Sequence, residues 1–203
     1  MKNPPKVLDN VIYIFESLLT EQECDEILQY FDSIKSKEAA TINYGFTDNK
    51  GTASTISHNK TSYRKGLVKF TRDTPSKDKL LMAMEFVAND TGIILTQDMV
   101  DIQLGIYDNI GDHFDWHPDH KAQAAMFYKQ VRKLSASLQL TDPKEYQGCE
   151  LQIRTDDTDR ALVCRKGKGD FIVFPSWLSH RVTKLESGHR DALILWYKGP
   201  ESR

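Results

Sequence analysis

The sequence predicts an α+β protein whose C-terminal half is a jelly roll, also called a double-stranded β-helix, with supporting helices on its N-terminal side. Short strand-like segments separated by turn residues fill the chain from about residue 93 onward. Many short strands at close spacing are typical of sandwiches and jelly rolls. Before that point, two segments show the apolar spacing of amphipathic helices.

Each helix has a recognisable sequence signal at one end. Thr20 with Glu23 three residues later forms a capping box that opens a helix over about residues 21–35. Its apolar stripe is expected to pack on a sheet. A second helix is predicted over about residues 76–91 from its apolar spacing, and turn-forming residues at 89–92 mark its end.

The strands are predicted from β-rich runs bounded by turn residues. They are expected at residues 99–107, 133–140, 150–154, 161–164, 170–174, 180–185 and 190–197. A turn at about 186–188 is expected to fold the last strand back beside the strand that begins at residue 180. These two strands should therefore form a hairpin.

The sequence predicts a single domain over residues 1–203. Supporting helices are expected over about residues 1–95, and the jelly-roll core over about residues 96–199. No Pro/Ser/Gly-rich linker or abrupt change of charge divides it. Residues of about 40–66 are polar, without a sustained period, and rich in Thr, Ser, Asn and Gly. Long loops of this kind are commonly functional, so this segment is a candidate lid that determines the substrate.

Composition excludes several classes of protein. The formal charge of −2 and the pI of about 6.3 remove the strong positive field of most nucleic-acid binders. The apolar runs are too short to span a bilayer, and the N-terminus lacks the apolar segment of a secretory signal, so no membrane partner is expected. Three widely spaced cysteines, Cys24, Cys149 and Cys164, fit buried, reduced thiols and a cytoplasmic location.

The most informative feature is a run of alternating histidines and aspartates. It consists of His113, Phe114, Asp115, Trp116, His117, Pro118, Asp119 and His120. His180 and Arg190 follow much later in the chain. Two histidines with one carboxylate are the ligands of non-haem iron sites that leave positions open for oxygen chemistry.

Spacing alone does not choose between the two His-x-Asp pairs. In an extended strand, residues i and i+2 project to the same side, so either pair could offer an imidazole nitrogen and a carboxylate oxygen to one ion. His113 and His117 would stand about 13 Å apart along an ideal strand, whereas metal bonds are about 2 Å long. Only one pair can therefore serve one ion.

The residues around the second pair resemble the prolyl 4-hydroxylase-like branch of the Fe(II)/2-oxoglutarate dioxygenases. Gly111 lies six residues before His117, Phe114 lies three before it, and Asp119 completes the pair, as in that family. The resemblance therefore selects His117 and Asp119. It continues in order through residues 134–140, 142–151, 169–176 and 180–190.

Two positions depart from the family pattern. Tyr107 lies four residues before Gly111, where the family usually has three. Cys149 replaces the second glycine of a common Gly-Gly-Glu-Leu turn. Neither position is a metal ligand.

The resemblance implies roles for five residues. His117, Asp119 and His180 would hold Fe(II) as catalytic ligands, and Arg190 would bind the distal carboxylate of 2-oxoglutarate, with Tyr107 beside that co-substrate. The implied reaction consumes O2 and 2-oxoglutarate, releases succinate and CO2, and hydroxylates a peptide or amino-acid side chain. Related halogenases lack the carboxylate ligand, so Asp119 favours hydroxylation. Ascorbate is a further cofactor candidate.

Two other functions remain open at this point. An oxidative hydroxylase or dealkylase acting on nucleic acid or a small metabolite would use the same metal site, and a catalytically inactive cupin-like protein would only bind the metal. A basic stretch could form a groove for an anionic substrate or for nucleic acid near the mouth of the barrel, although such runs are usually solvated. The stretch comprises Lys60, Arg64, Lys65, Lys69 and Arg72, and a second cluster spans residues 129–133.

The remaining histidines and tryptophans have simpler interpretations. His113 and Asp115 are expected to be surface polar residues or groups that orient a ligand. His58, His120 and His189 are expected to be solvated. Trp116 and Trp177 are expected to pack in the core or, as the alternative, to form a wall of the pocket. Trp196 is expected to pack in the core.

Overall fold

The structure is a computed structural model that describes residues 4–38, 41–43, 57–59, 63–120, 130–156, 160–164 and 167–201. The candidate lid over residues 40–66 lies mostly outside these ranges, as do Lys60 and Lys129. Among the described residues, no helix has the length and the apolar character needed to cross a membrane.

Two helices and seventeen strands make up the described fold. The helices are α1 (Glu21–Asp32) and α2 (Lys77–Thr91). The strands before α2 are β1 (Lys6–Leu8), β2 (Ile12–Phe15), β3 (Lys37–Glu38), β4 (Thr41–Asn43), β5 (Ser57–Asn59), β6 (Arg64–Lys65) and β7 (Leu67–Thr71). Those after it are β8 (Val100–Tyr107), β9 (His113–His117), β10 (Gln130–Gln139), β11 (Tyr146–Gly148), β12 (Leu151–Ile153), β13 (Leu162–Val163), β14 (Phe171–Pro175), β15 (His180–Val182), β16 (Leu185–Gly188) and β17 (Arg190–Pro200).

Two antiparallel sheets face each other and form a jelly roll. The major sheet has eight strands in the order β1-β2-β14-β10-β17-β8-β7-β3. The minor sheet has five strands in the order β13-β12-β15-β9-β6. Small two-stranded sheets are formed by β11 with β16 and by β4 with β5. The predicted fold class is therefore confirmed, and the N-terminal segment contributes strands to the major sheet as well as helices.

The outer face of the major sheet is covered by the two helices. Ile27 and Phe31 of α1 and Leu80 and Met84 of α2 are fully buried in a cluster that includes Leu193 of β17. Each such side chain stabilises the fold by about 1.5–3 kcal/mol on burial. The expectation that the first helix packs on a sheet is confirmed, as is its capping box, since the Thr20 hydroxyl accepts from the Glu23 N–H.

The inner face of the major sheet carries the polar side chains. Successive residues of a strand point to opposite faces, and in β10 this alternation separates Leu134, which packs under the helices, from Ser135, which faces the minor sheet. In β17, Leu193 faces the helices, and Arg190 faces inward. The major sheet therefore separates an apolar core from an inter-sheet cavity.

The predicted hairpin between the strands that begin at His180 and Arg190 is wrong. The segment 180–185 divides into β15, which pairs with β12 and β9, and β16, which pairs with β11. Strand β17 pairs with β10 and β8 in the opposite sheet. The chain changes sheets between His180 and Arg190, so the two side chains meet across the cavity instead of along one ladder.

A β-bulge in β9 decides which of its side chains face the cavity. His180 pairs with His117 and Val182 pairs with Phe114, so three steps along β9 match two along β15. An extra residue in one strand shifts the alternation of its side chains. Phe114 and His117 therefore both line the cavity, and His113 is not among the lining residues. The bulge breaks the parity that a regular strand would give to the two His-x-Asp pairs.

Candidate metal centre and co-substrate site

The functional residues surround a cavity between the two sheets. The major sheet contributes side chains from β8, β10, β14 and β17, and the minor sheet contributes them from β6, β9, β12 and β15. The walls combine apolar groups such as Phe174 and Ile194 with a small set of charged residues. This composition is typical of a small-molecule site.

Three predicted ligands converge at this cavity. One donor atom each from His117, Asp119 and His180 lies within 4.8 Å of the others. The Nε2 atom of His180 is 3.3 Å from Oδ2 of Asp119, and Nε2 of His117 is 3.8 Å from Oδ1 of the same carboxylate. Donors on one face of an octahedral ion are separated by roughly 3 Å, so small side-chain movements would close them around a metal.

Backbone hydrogen bonds orient both imidazoles toward the carboxylate. The Nδ1 atom of His117 is 2.6 Å from the Asp115 carbonyl oxygen, and Nδ1 of His180 is 3.0 Å from the Leu178 carbonyl oxygen. A ligating histidine commonly donates its second N–H in this way, which fixes the tautomer and leaves the other nitrogen for the metal. Phe114 stacks on the His117 ring at 3.5 Å and further fixes its position.

Residues of the major sheet hold the Asp119 carboxylate in position. It is 6% exposed, and its Oδ2 accepts a 2.7 Å hydrogen bond from the Ser135 hydroxyl, which itself contacts the Ser176 hydroxyl at 2.8 Å. Nη1 of Arg132 lies 3.7 Å from the other carboxylate oxygen. The backbone N–H of Asp119 donates to the Ser176 carbonyl, so the ligand segment is tied to the end of β14.

The electrostatics of the site favour the ionisation states that a metal requires. Burial, followed by the charge of His180, lowers the pKa of His117 to about 3. Burial raises the pKa of Asp119, but the charge and hydrogen bond of His180 and the charge of Arg132 outweigh it, and the pKa falls well below its usual range. A neutral imidazole and an ionised carboxylate are the forms that coordinate metal ions. The donor set therefore fits the Fe(II) that the sequence implies.

Arg190 lines the cavity from a buried position and fits an anionic ligand. It is 2% exposed, and its Nη2 donates a 2.7 Å hydrogen bond to Oε1 of Gln139. Its Nε and Nη1 are buried and have no hydrogen-bond partner within the described part of the chain. Buried donors without acceptors are costly, and a guanidinium pairs well with a carboxylate. These atoms suit one carboxylate of a dicarboxylate such as 2-oxoglutarate.

Two tyrosines flank this guanidinium. The Tyr107 ring centroid is 5.4 Å from Cζ of Arg190, and Tyr107 and Tyr146 are both buried. Burial raises the pKa of each phenol, and the charge of Arg190 opposes this rise. Both groups therefore remain neutral hydrogen-bond donors beside Arg190. The sequence predicts Tyr107 beside the co-substrate, and its ring lies beside Arg190, the residue predicted to bind that co-substrate.

Sequence reasoning did not assign Ser135, Ser137 and Gln139, although a signal was present. These polar residues alternate with apolar ones along a strand, and all three are buried. Ser135 donates to Asp119, and Ser137 accepts from Gln139, the partner of Arg190. Polar residues at every second position of a buried strand predict a polar inner face.

The first His-x-Asp pair does not join the centre. His113 is buried, contrary to its expected place at the surface, and its Nδ1 is 2.7 Å from the Gly111 carbonyl oxygen. Its Nε2 lies 3.8 Å from Asp115, whose side chain is 53% exposed. Among the described residues, no further histidine or carboxylate completes a metal-binding cluster there.

Several simpler expectations need correction. His189 is not merely solvated, because its ring bridges the carboxylates of Asp108 and Asp191. Trp177 is 50% exposed, and Trp116 lies between the guanidiniums of two arginines, so neither packs in the apolar core. Trp196 is buried, as expected, and lines the cavity. The three cysteines are free and buried, as expected.

The basic stretch does not form one surface in the described residues. Arg64 lines the cavity, whereas the Lys69 ammonium donates to the Phe31 carbonyl at the end of α1. Lys65 is exposed beside His113. Its members have separate environments instead of forming a continuous groove.

A jelly roll with two histidines and one carboxylate at its inner face, and a buried arginine beyond them, defines a class of non-haem iron oxygenases. Residues 102–198 match the model of the 2OG-Fe(II) oxygenase superfamily. This match covers just under half of the chain, so the chain is similar to that superfamily over its C-terminal half.

Curated relatives include PKHD-type hydroxylases of several bacteria. One from Shewanella sp. strain ANA-3 is 34% identical over 86 residues, which is 42% of this chain and 38% of the relative. One from Psychrobacter sp. strain PRwf-1 is 32% identical over 89 residues, or 43% of this chain and 34% of the relative. The matched segment thus spans little more than a third of the length of these relatives.

Solved structures show the same fold over nearly the whole chain. A prolyl-4-hydroxylase from Pseudomonas putida has a TM-score of 0.65 at 15% identity and covers 92% of this chain and 91% of its own. A prolyl hydroxylase from Trichoplax adhaerens, in complex with a hypoxia inducible factor peptide fragment, has a TM-score of 0.64 at 13% identity, with 93% and 84% covered. At these identities the likeness shows the fold.

Proposed function

We propose that this protein is an Fe(II)- and 2-oxoglutarate-dependent dioxygenase that hydroxylates a peptide or amino-acid side chain and releases succinate and CO2. The observation that carries the proposal is the arrangement of one cavity. It presents the three donor atoms of His117, Asp119 and His180 together with the unpaired donors of the buried Arg190. A metal face and a carboxylate site in one cavity suit a 2-oxo dicarboxylate.

Bound Fe(II) supplies O2 activation coupled to oxidative decarboxylation of the 2-oxo acid. The protein supplies binding and orientation. The three ligands leave half of an octahedral coordination sphere open, and Arg190 orients the co-substrate through its distal carboxylate. Gln139 holds the guanidinium in place through its Oε1 atom.

The protein also limits water in the cavity. Phe174, Ile194 and Trp196 line it with apolar surface, and Phe114 covers one side of the His117 ring. A low local dielectric strengthens the attraction between Arg190 and a bound carboxylate. The apolar lining also protects the reactive site from side reactions with water.

The proposed peptide or amino-acid substrate is supported by the relatives. Several curated relatives are named as PKHD-type hydroxylases, and one structural neighbour is a prolyl hydroxylase in complex with a peptide. The nucleic-acid alternative gains no support from the described part of the basic stretch, because Arg64 and Lys69 point to different environments.

Turnover of 2-oxoglutarate tests the proposal directly. The protein loaded with Fe(II) in air should form succinate, and a panel of peptides, free amino acids and oligonucleotides should contain a compound that gains one oxygen by mass. Arg190→Gln should weaken 2-oxoglutarate binding about thirtyfold or more, because a buried charge pair is lost. Absence of both 2-oxoglutarate binding and succinate formation in the wild type contradicts the proposed function.

Arg160→Gln is the matched control. It removes a guanidinium of a side chain that is 66% exposed and pairs with Asp9, far from the cavity lining. Its 2-oxoglutarate affinity should equal that of the wild type. A loss as large as that in Arg190→Gln would show that overall charge, and not the cavity site, determines the affinity.

The proposal extends to the cellular setting. Three free, buried cysteines are consistent with a reducing cytoplasm. Ascorbate is proposed as a reductant that sustains turnover. Adding it to the Fe(II) enzyme should increase the number of turnovers before inactivation, and an unchanged number would remove ascorbate from the proposal.

A further inference from the structure

A second arginine lies in the cavity without a role in the chemistry described above. Arg64 belongs to β6 and pairs with Phe114 of β9. The chain then passes from the minor sheet into β7 of the major sheet at Gly66, which has φ of +137°. A Cβ atom at this glycine would lie 2.8 Å from the Ile106 carbonyl oxygen. This crossing places the Arg64 side chain between the sheets.

The Arg64 guanidinium lies close to the metal centre. Its Cζ atom is 4.3 Å from the Phe114 ring centroid, and that ring is stacked on His117 at 3.5 Å. Arg64 lines the same cavity as Asp119 and Arg190. A group bound to Arg64 would therefore lie near the open coordination positions.

The Arg64 side chain has no hydrogen bond or ion pair with any described residue. Burial lowers its pKa, and the charge of Asp119 opposes that effect. A guanidinium nevertheless keeps its charge, because it cannot be deprotonated in proteins. Among the described residues, the Arg64 guanidinium contacts the Phe114 ring and forms no ion pair. A largely buried cation in such surroundings is costly unless an anion binds.

Among the charged groups that line the cavity, one positive charge is left over once Fe(II) and 2-oxoglutarate are bound. Arg132 is not part of this lining and is shared between Asp119 and Asp101, at 3.7 and 3.9 Å. The two charges of Fe(II) and the charge of Arg190 are balanced by Asp119 and the two carboxylates of 2-oxoglutarate. Arg64 is the remaining cation of the cavity lining. A single carboxylate would neutralise it, whereas a phosphate, with about −1.5 to −2 charges, would exceed it.

We propose that Arg64 binds a carboxylate of the substrate, so that this enzyme hydroxylates carboxylate-bearing compounds. The inference rests on the proposed function and narrows its substrate class. Two sources of the carboxylate fit: the α-carboxylate of a free amino acid and the side chain of an acidic residue in a peptide. Both would place the anion on Arg64 and the adjoining carbon chain toward the metal ligands.

Arg64 and Arg190 are suited to different anions. Arg190 is 2% exposed and hydrogen-bonded to Gln139, whereas Arg64 is partly exposed and, among the described residues, contacts the Phe114 ring. A co-substrate that binds first suits the deeper site. A substrate that enters afterwards suits the site nearer to solvent.

Matched acid and amide compounds test the inference. The Fe(II) enzyme with 2-oxoglutarate would be assayed with L-amino acids and their α-amides, and with peptides containing Asp or Glu and their Asn or Gln counterparts. Succinate formation and the mass gain of one oxygen are measured. The acid of a matched pair should exceed its amide by about tenfold or more in kcat/KM, since one charged hydrogen bond is lost in the amide.

The Arg64→Gln variant should lose this preference, mainly through a higher substrate KM, and Arg64→Lys should retain part of it. Lys65→Gln is the matched control, because it removes the neighbouring charge on the exposed side of the same strand and should keep the wild-type preference. Hydroxylation of free amino acids would identify the α-carboxylate as the group bound by Arg64, and hydroxylation of acidic peptides would identify the side-chain carboxylate.

The outcomes separate this inference from the proposed function. Equal rates with acids and amides, a preference that survives in Arg64→Gln, or no stimulation by any acid although 2-oxoglutarate binds would overturn the inference alone. A tenfold loss of 2-oxoglutarate affinity in Arg64→Gln would assign Arg64 to the co-substrate and also overturn it. A wild type that neither binds nor consumes 2-oxoglutarate contradicts the proposed function itself.

Discussion

The two His-x-Asp pairs of one chain segment have nearly the same local geometry and different surroundings. In each pair the imidazole Nε2 lies 3.8 Å from a carboxylate oxygen of the aspartate. In each, Nδ1 is within hydrogen-bond distance of a backbone carbonyl two residues earlier, at 2.7 Å for His113 and 2.6 Å for His117. Local pattern therefore does not distinguish a ligand pair from its neighbour.

The tertiary environment distinguishes them. The Asp119 side chain is 6% exposed, accepts from Ser135 and lies 3.3 Å from His180, whereas the Asp115 side chain is 53% exposed. The second pair therefore has a buried carboxylate and a third potential metal ligand beside it, and the first pair has neither among the described residues. The bulge between Phe114 and His117 makes this possible, because it turns the second histidine into the cavity.

The largest expected difference between the two pairs is in metal affinity, when the aspartate of each pair is replaced separately by asparagine. Asp119→Asn should reduce metal affinity by more than the about ten- to hundredfold typical of losing an outer partner, since it removes a ligand. Asp115→Asn should change it less than about twofold, because that side chain faces solvent. Metal titration by calorimetry measures both, with unfolding curves as the control for folding.

A smaller effect is expected from the hydroxyl that supports only the second pair. Ser135→Ala removes the donor to Oδ2 of Asp119 and should lower metal affinity about ten- to hundredfold. Ser135→Thr keeps a hydroxyl and should retain more of the affinity. The exposed Ser187 offers a control, because Ser187→Ala should leave the affinity unchanged. An unaffected Ser135→Ala variant would show that Asp119 needs no support from the major sheet.

The smallest expected effect is on the stability of the fold. It concerns His189, a third histidine with carboxylate partners. Its hydrogen bond to Asp191 raises its pKa to about 9, against a partial opposing effect of burial. The folded state holds the proton more tightly than the unfolded chain, so this contribution to stability is complete below about pH 6.5 and is lost as the pH rises through about 9.

Unfolding midpoints of wild type and His189→Gln between pH 6 and 10 test this effect. The midpoint difference should be at most about 4 °C near pH 6, because the side chain is 43% exposed, and should shrink toward pH 10. A difference that grows with pH would reverse the assigned sign. His189 thus shows a histidine between carboxylates that forms an ion pair in place of a metal site.

Local signals in the sequence predicted the helices well. The capping box at Thr20 and the glycine at Gly92 mark the start of α1 and the end of α2, because capping depends on residues near each end. The ligands His117, Asp119 and His180 were identified by resemblance to a known family, and the structure brings them together. Chain spacing alone left two choices.

The errors have a common physical origin in strand pairing. The bulge in β9 exists only in its register with β15, and the change of sheet before β17 depends on which ladders form. The sequence placed Arg64 in a basic stretch that was expected either to be solvated or to form an anion-binding groove. It did not predict that Arg64 lines the inter-sheet cavity, because this inward direction is set by the crossing at Gly66. Such non-local pairings are difficult to predict from a single sequence.

The central claim is that His117, and not His113, binds the catalytic metal with Asp119 and His180. The direct test is a parallel Fe(II) titration, without oxygen, of His117→Ala and His113→Ala, both confirmed as folded by their unfolding midpoints. We expect His113→Ala to bind one equivalent of Fe(II) with nearly wild-type affinity and His117→Ala to bind none at comparable concentrations. The opposite result, with binding lost in His113→Ala and kept in His117→Ala, would contradict the account.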